Sequence, residues 1–433
     1  MRQKSLTETQ GMRQCFVMFG KLIRDAAHGD IQLGPLEIDL IDTLEFQRLR
    51  GIKQLGTAYL VFPSALHTRF EHSLGTSWMA QRLIDSVRRD HALNDDEAQL
   101  IRAAALLHDI THIPFGHTLE DERRVLPRHD KDRDRIAHFF EAGGVSHILE
   151  KAGIRNAVVK ALTERGSLVS DIVGGSVSAD LLDYLRRDTY FCGLSQYYDA
   201  RIFEAFVVEN GRLVMNLEKR GVLRRDTLSE LINLLRIRYS LSERVYFHHT
   251  KIASGAMISK AVELALRGQA FRPEELRDLK DDTLQFTLRQ RFDKDPSILH
   301  LLDCLDRRAL YKPCYTLTVE IGEDRRREIV ERFHHDPAQR DRFERTLAEA
   351  AGMDPCKVIV YCPSFEMGLP EADVLVRMQG GKVLPLSDTD NEEIRILRDK
   401  HKALWRFFVL VDRSHWPSTH EALARVAAQY LGM

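Results

Sequence analysis

Between Pro35 and about Leu310, apolar residues recur three and four positions apart, the period of amphipathic helices. The stretches LEIDLIDTLEFQRLRGIKQL, SLGTSWMAQRLIDSVRRD, DEAQLIRAAALLHD, SADLLDYLRRDTYFCG and SELINLLRIRYSLSERVYF each carry one apolar stripe, predicting a succession of packed helices. Gly193 stands where a C-terminal helix stop belongs. Short extended pieces are predicted at AYLVFPS and at FVVENGRLVMN, whose central Asn-Gly is a hairpin signal. After residue 310 the character changes. CYTLTVEIG, CKVIVYCPS and DVLVRMQGGKVLPL are rich in β-branched residues and separated by turn residues. They alternate with charged segments expected to be helical, DPAQRDRFERTLAEAAG and TDNEEIRILRDKHKALWRFFVLV. The pattern therefore predicts a mainly α protein, with a large helical domain over residues 1–310 and a smaller α+β C-terminal lobe over residues 311–433.

The length of 433 residues exceeds the usual size of a single core, in keeping with two parts. Basic and acidic side chains nearly cancel, 63 against 64, so the charge balance supports neither strong nucleic-acid binding nor a membrane-surface role. Six cysteines (Cys15, Cys192, Cys304, Cys314, Cys356 and Cys362) form no CxxC and no regular framework, as expected of reduced thiols. The N-terminal MRQKSLTETQGMRQCF lacks an apolar core, and no run of about 18 apolar residues occurs. The expectation is a cytoplasmic protein.

Chemistry concentrates in LLHDITHIPFGH, residues 106–117. Seven of the eighteen histidines fall between His67 and His129. Adjacent His108 and Asp109 would point about 100° apart on a helix, close enough to share one cation. Ionisable groups at the end of so apolar a helix need partners. RFEHSLG supplies His72 at the start of a neighbouring helix, and Asp180, opening SADLLDYLRRD, can supply a second carboxylate. Taken singly, Asp180 reads as a helix cap and His72 as a buried, hydrogen-bonded histidine; together the four read as a metal site. Two His and two Asp suit one divalent ion of the Mn²⁺, Fe²⁺, Zn²⁺ or Mg²⁺ kind, with coordination positions left for water and substrate.

HTRFEHSLG, LLHDITHIPFGH and SADLLDYLRRD together resemble the H…HD…D signature of the HD phosphohydrolase superfamily. The resemblance is nearest to the SAM-and-HD-domain-type deoxynucleoside triphosphate triphosphohydrolases, and covers roughly residues 20 to 312. It implies a helical HD-domain core in which His72, His108, Asp109 and Asp180 hold the metal. It implies hydrolysis at the α-phosphate of a dNTP, releasing deoxynucleoside and tripolyphosphate, with a further Mg²⁺ able to accompany the nucleotide. His112 and His117 would face the triphosphate, and Glu120 with His129 would form an acid/base pair. Arg69, Arg238 and Tyr184 would meet phosphate; Gln54, Leu55 and Asp188 would surround the deoxyribose; Tyr246 would stack near sugar and base. Arg69 and Arg238 can equally be read as ordinary surface salt bridges, and Tyr246 as a core residue. Glu120 stands where some relatives have Asp, Leu181 where some have a phosphate-binding lysine, and Ser242 where some have a histidine.

The same resemblance implies a homo-oligomer, dimer or tetramer, activated by GTP or dGTP at an intersubunit site. Lys21, Asp42, Gln47, Arg50, Arg308 and Lys312 match contacting positions, which makes residues 1–50 a candidate regulatory or interface segment. Arg24 departs from that pattern, standing where some relatives have Asn. Two other readings remain open. One keeps the HD site but acts on nucleoside monophosphates or cyclic nucleotides, with His112 and His117 able to extend the site to two metals. The other is a nucleotide-sensing or nucleic-acid-binding protein with vestigial catalysis, against which the complete ligand set and the Glu120–His129 pair speak.

Overall fold

The computed structural model describes residues 20–268 and 270–433. Cys15 and the rest of residues 1–19 lie outside it, as does Gln269. The architecture is mainly α, a helical core with small sheets gathered toward the C-terminal half.

Three helices build the frame of the core. Arg69–Val87 opens with a capping box in which the Thr68 amide donates to Glu71. Asp95–Leu107 starts on a second box, Asn94 with Glu97, and three acidic residues complement its N-terminal dipole. Ala179–Phe191 starts on Ser178, whose hydroxyl accepts from Leu181. The three pack on one another through Leu74, Ala104, Leu107, Leu182 and Leu185, all nearly inaccessible to solvent. Ahead of them Lys21–Asp25 and Gly29–Leu33 form an antiparallel hairpin that sends Asp25 and His28 onto the Ala179–Phe191 helix.

The hairpin expected in FVVENGRLVMN is present. Phe206–Glu209 pairs antiparallel with Arg212–Asn216, and Asn210 and Gly211 both take positive φ, 51° and 72°. AYLVFPS is not extended: Ala58–Leu60 is one turn of 3-10 helix, because the Leu55 and Thr57 carbonyls capture the following amides locally. The helix expected over TDNEEIRILRDKHKALWRFFVLV covers only Glu392–Lys402. Phe407–Val411 is a strand instead, buried on both faces and central in an antiparallel sheet with Lys312–Leu317 and Val358–Tyr361. A run of five bulky apolar residues has no polar face to present, and a central strand is where it can be covered on both sides.

The C-terminal residues do not pack only among themselves. Leu375–Arg377 lies parallel to Arg212–Asn216, extending the hairpin sheet to four strands with Val383–Pro385. Leu369, Ala372, Val376 and Leu397 join the apolar core of these three helices. A second core carries Ile113, Phe115 and Leu119 against Met257, Leu301 and Tyr361. The polypeptide thus closes over the three framing helices twice from its C-terminal side.

Candidate active site

Four ligand side chains converge from those three helices. His72 Nε2 lies 3.1 Å from His108 Nε2, 3.1 Å from Asp180 Oδ1 and 3.7 Å from Asp109 Oδ2. His108 Nε2 lies 3.5 Å from Asp109 Oδ1 and 3.6 Å from Asp180 Oδ1. The helix stops two residues short of the end of the DEAQLIRAAALLHD stretch: Leu107 is its last residue, His108 its cap, and Asp109 sits in the turn beyond.

Both imidazoles are turned the same way by their other nitrogens. His72 Nδ1 donates to Asp183 at 2.7 Å, and His108 Nδ1 donates to the Ala105 carbonyl at 2.8 Å. Each Nε2 then faces its counterpart and two carboxylates, an arrangement suited to sharing one cation. Electrostatics agree. Burial disfavours charge on His72, but hydrogen bonds to Asp180 and Asp183, with Asp109 nearby, outweigh it and raise its pKa to about 10. Burial likewise opposes charge on Asp109, yet Arg69, His108 and His112 hold its carboxyl well below the usual range. His72, His108 and Asp109 could hold one divalent ion between them, with Asp180 Oδ1 standing within 3.6 Å of both histidine Nε2 atoms.

Asp183 was not foreseen from the sequence. It is fully buried and gripped by Arg187 at 2.9 and 3.0 Å, by His28 at 2.5 Å and by His72. Arg187 in turn takes Asp25 at 2.8 Å. Gly75 makes room for this pair, since a Cβ there would stand 1.8 Å from Asp183 Oδ1. The signal was present as Asp183 and Arg187 four apart, one turn after Asp180.

Beyond Asp109 the chain reverses at Phe115 and Gly116, with φ of 60° and 51°. Asp281 holds the reversal, accepting from the Phe115 amide at 2.7 Å and the Lys53 amide at 3.0 Å. Gly116 is required by proximity as well, because a Cβ would meet the Arg69 guanidinium at 2.6 Å. The turn delivers His117 and Glu120 beside His129. Glu120, fully buried, accepts from His129 Nδ1 at 3.1 Å and from Arg135 at 2.7 Å, with His117 Nδ1 at 3.2 Å. Despite burial, the two histidines hold the Glu120 carboxyl far below its usual range. Burial lowers the His129 pKa, and Glu120 offsets this only in part.

A cavity of about 490 Å³ opens over both clusters. His72, His108, Asp109, Asp180, His117 and His129 form part of its wall, as do Gln54, Leu55, Arg69, Tyr184, Asp188, Arg238 and Tyr246. His112 differs from the expectation that it faces the triphosphate. It is wholly buried, stacked under His129 with ring centroids 3.6 Å apart, and its Nε2 stands 3.2 Å from Asp109 Oδ1. The chain reverses three residues after it, so His112 bridges the two clusters from beneath while His117, 45% exposed, reaches the opening.

The remaining wall residues already have partners. Asp188 accepts from His67 at 2.9 Å and from the Tyr246 hydroxyl at 2.6 Å. Arg238 donates to Glu371 at 2.8 Å and to Ser242 at 2.7 Å, and Tyr184 donates to the same Glu371 carboxylate at 3.2 Å. Arg69 pairs with Asp109. Gln54 Oε1 is the exception, a buried acceptor without a partner. Lys251, paired with Glu122 at 2.7 Å, and Arg128 also line the cavity and had not been singled out.

The expected effector residues form no single group. Lys21 and Asp42 stand 4.0 Å apart at the surface, and Arg50 donates to Gln47 at 2.8 Å while covering Phe70. Arg308 donates instead to the Leu60 carbonyl, and Lys312 begins a strand. Among the described residues no hydrogen bond or ion pair joins these two to the other four.

Family models match the chain twice: an HD domain over residues 69–164 and an HD associated region over residues 208–433. The chain belongs to the HD-domain phosphohydrolase superfamily. HD domains bind divalent metal, and the cluster at His72, His108 and Asp109 falls inside the matched HD segment. This HD protein is 34% identical over 307 residues to an uncharacterized protein of Methanocaldococcus jannaschii, covering 68% of this chain and 60% of that one. It is 34% identical over 252 residues to the uncharacterized protein YwfO of Bacillus subtilis, covering 57% of this chain and 56% of that one. It is 30% identical over 306 residues to the human deoxynucleoside triphosphate triphosphohydrolase SAMHD1, covering 60% of this chain and 47% of that one. The matches thus span about half the length of these curated relatives. Among solved structures, a hypothetical protein from Aquifex aeolicus superposes with a TM-score of 0.70 at 25% identity, covering 93% of this chain and 99% of that one. A phosphohydrolase from Bacteroides thetaiotaomicron shares the fold at a TM-score of 0.69 and 24% identity, covering 90% of this chain and all of that one.

Proposed function

We propose that this HD protein hydrolyses deoxynucleoside triphosphates to deoxynucleoside and tripolyphosphate. The observation that carries the reading is the union of two clusters under one cavity: a two-histidine, two-aspartate ligand set and a histidine–carboxylate pair. Bound at the ligand set, a divalent ion supplies charge neutralisation at the α-phosphate and a more acidic water. The chain's own residues do the rest. Lys251 and Arg128 bring hydrogen-bond donors to the wall, each also held by a neighbouring carboxylate, Glu122 and Asp121 respectively. Gln54 Oε1, buried and unpartnered, accepts a hydrogen bond from a sugar hydroxyl, while Asp188 and Tyr246 close the sugar's surroundings. His129, oriented through Nδ1 by Glu120, keeps Nε2 free to take a proton during attack on phosphorus and return it to the departing 5′ oxygen. The 30% identity to SAMHD1 supports the substrate class.

The same reading takes residues 1–310 as the catalytic domain and 311–433 as a covering lobe of a cytoplasmic homo-oligomer. Lys21, Asp42, Gln47 and Arg50 are then an effector surface for a guanine nucleotide. No helix among the described residues is long and apolar enough to cross a membrane.

A second reading, action on nucleoside monophosphates or cyclic nucleotides, is favoured by one observation. Glu371 neutralises Arg238, and Leu181 follows the last ligand aspartate, so two places expected to hold phosphate-binding cations carry none free. Incubation with each dNTP, each monophosphate and cyclic nucleotides, with Mn²⁺ or Mg²⁺ and with or without GTP, separates the two. Tripolyphosphate plus deoxynucleoside supports the first; orthophosphate from monophosphates, or opened cyclic nucleotide, replaces it with the second.

A further inference from the structure

A second group of metal-binding side chains lies outside the HD site. His300 and Cys304 stand four residues apart on the helix Pro296–Asp306, so both leave the same face. Asp412 directly follows the central strand Phe407–Val411. His300 Nε2 is 2.5 Å from Asp412 Oδ2 and 3.6 Å from Cys304 Sγ, and one ligand atom from each of the three lies within 4.8 Å of the others. Asp412 Oδ1 is occupied separately by the Ser414 amide and hydroxyl, both at 2.7 Å, which leaves Oδ2 for the cluster. Cys304 and Asp412 are buried, and His300 remains one-third exposed.

We propose that His300, Cys304 and Asp412 form a second cation site, for Zn²⁺, independent of the HD centre, with water in the fourth position. The donor set selects the ion: Mg²⁺ and Ca²⁺ do not take thiolate, whereas Zn²⁺ accepts sulfur, imidazole and carboxylate together. The geometry fits as well. With Zn–N near 2.0 Å and Zn–S near 2.3 Å, a tetrahedron sets nitrogen and sulfur about 3.6 Å apart. That is the separation found between His300 and Cys304. The His300–Asp412 edge must open by about 0.9 Å to reach the nitrogen–oxygen edge of such a tetrahedron.

Without the ion, a hydrogen from His300 fills the 2.5 Å contact, and burial with the nearby Asp412 carboxylate keeps Cys304 a thiol, its pKa raised to about 11. Binding Zn²⁺ forms the S–Zn and N–Zn bonds and releases the Cys304 proton to water, with the His300 hydrogen moving to its other ring nitrogen. The ion would pin the Pro296–Asp306 helix to the end of the central strand Phe407–Val411.

Cobalt loading of the full chain tests this directly. No cysteine among the described residues belongs to the HD ligand clusters, so a near-ultraviolet thiolate-to-cobalt band has one expected source. The band should appear in the wild type and in Asp109→Ala, and vanish in Cys304→Ser with circular dichroism unchanged. Zinc content after loading should fall by one equivalent per chain in Cys304→Ser and in His300→Ala, relative to wild type. Absence of the band in the wild type, or its persistence in Cys304→Ser, would overturn the proposal.

Discussion

Asp183 accepts a 2.7 Å hydrogen bond from His72 Nδ1 and is itself clamped by Arg187, so an aspartate outside the ligand set decides which His72 nitrogen faces the ligands. Losing the carboxylate's acceptor strength should cost 10- to 100-fold in metal affinity. Asp183→Asn, titrated calorimetrically with Mn²⁺, should show that loss. Gly75→Ala should follow it, because the new methyl collides with the same carboxylate. An Asn variant that binds Mn²⁺ as the wild type does would remove Asp183 from this role.

His129 gives the reaction a direction in pH. Its pKa lies below the ordinary histidine value, with burial as the main cause, so it is neutral at pH 7. Activity that requires neutral His129 should show an acid limb displaced below the ordinary histidine range. His129→Ala should lose about 10²- to 10⁴-fold in kcat and flatten that acid limb. An unchanged limb in the variant would assign it to another group.

Glu371 occupies Arg238 and Tyr184 from the C-terminal side. Glu371→Gln releases the guanidinium, and a charge-assisted hydrogen bond to phosphate contributes about 1.5–3 kcal/mol. The expected result is a KM for dNTP lowered roughly tenfold or more, with little change for a monophosphate. Equal effects on both would place Arg238 away from the outer phosphates.

Glu344 is the centre of a buried ionic group that joins the segment after Glu122 to the C-terminal sheet. Arg123 donates to it at 2.6 Å, Lys260 at 2.8 Å and the Val360 amide at 2.7 Å. Burial opposes its charge, but Arg123 and Lys260 win and depress its pKa to about 2. A depressed carboxylate stabilises the fold above its unfolded value and loses that contribution as pH falls through the folded one. The shift corresponds to about 3 kcal/mol, lost between roughly pH 5 and 2. Glu344→Gln should therefore be less stable at pH 7 by about 3–5 kcal/mol, since it strands buried cations, and the gap should narrow on acidification. Denaturant unfolding at several pH values measures it.

What could be read in advance follows the range of the interaction. The ligand histidines sit on strongly periodic helices and carry a recognisable spacing, so their elements were legible. Asp109 lies past the end of its expected helix, because apolar periodicity runs through Leu107 without a breaker to mark the stop. Phe407–Val411 was absorbed into the preceding helix for a similar reason: no Gly or Pro separates it from Glu392–Lys402. Glu371 on Arg238, and Asp25 on Arg187, join positions 133 and 162 residues apart, which no local pattern encodes. His112 was misplaced because its spacing to His117 says nothing about the reversal at Phe115.

The parallel pairing of Arg212–Asn216 with Leu375–Arg377 spans 161 residues. On the ribosome, all four ligand residues emerge long before the strand that covers this edge. A nascent chain therefore exposes a metal-competent helical core beside an open strand edge until Arg377 has been synthesised. Contacts this remote in sequence form slowly, and an open edge invites pairing with another chain. Translation order thus makes the late strand, rather than the HD helices, the step at which new molecules are most exposed to misassembly.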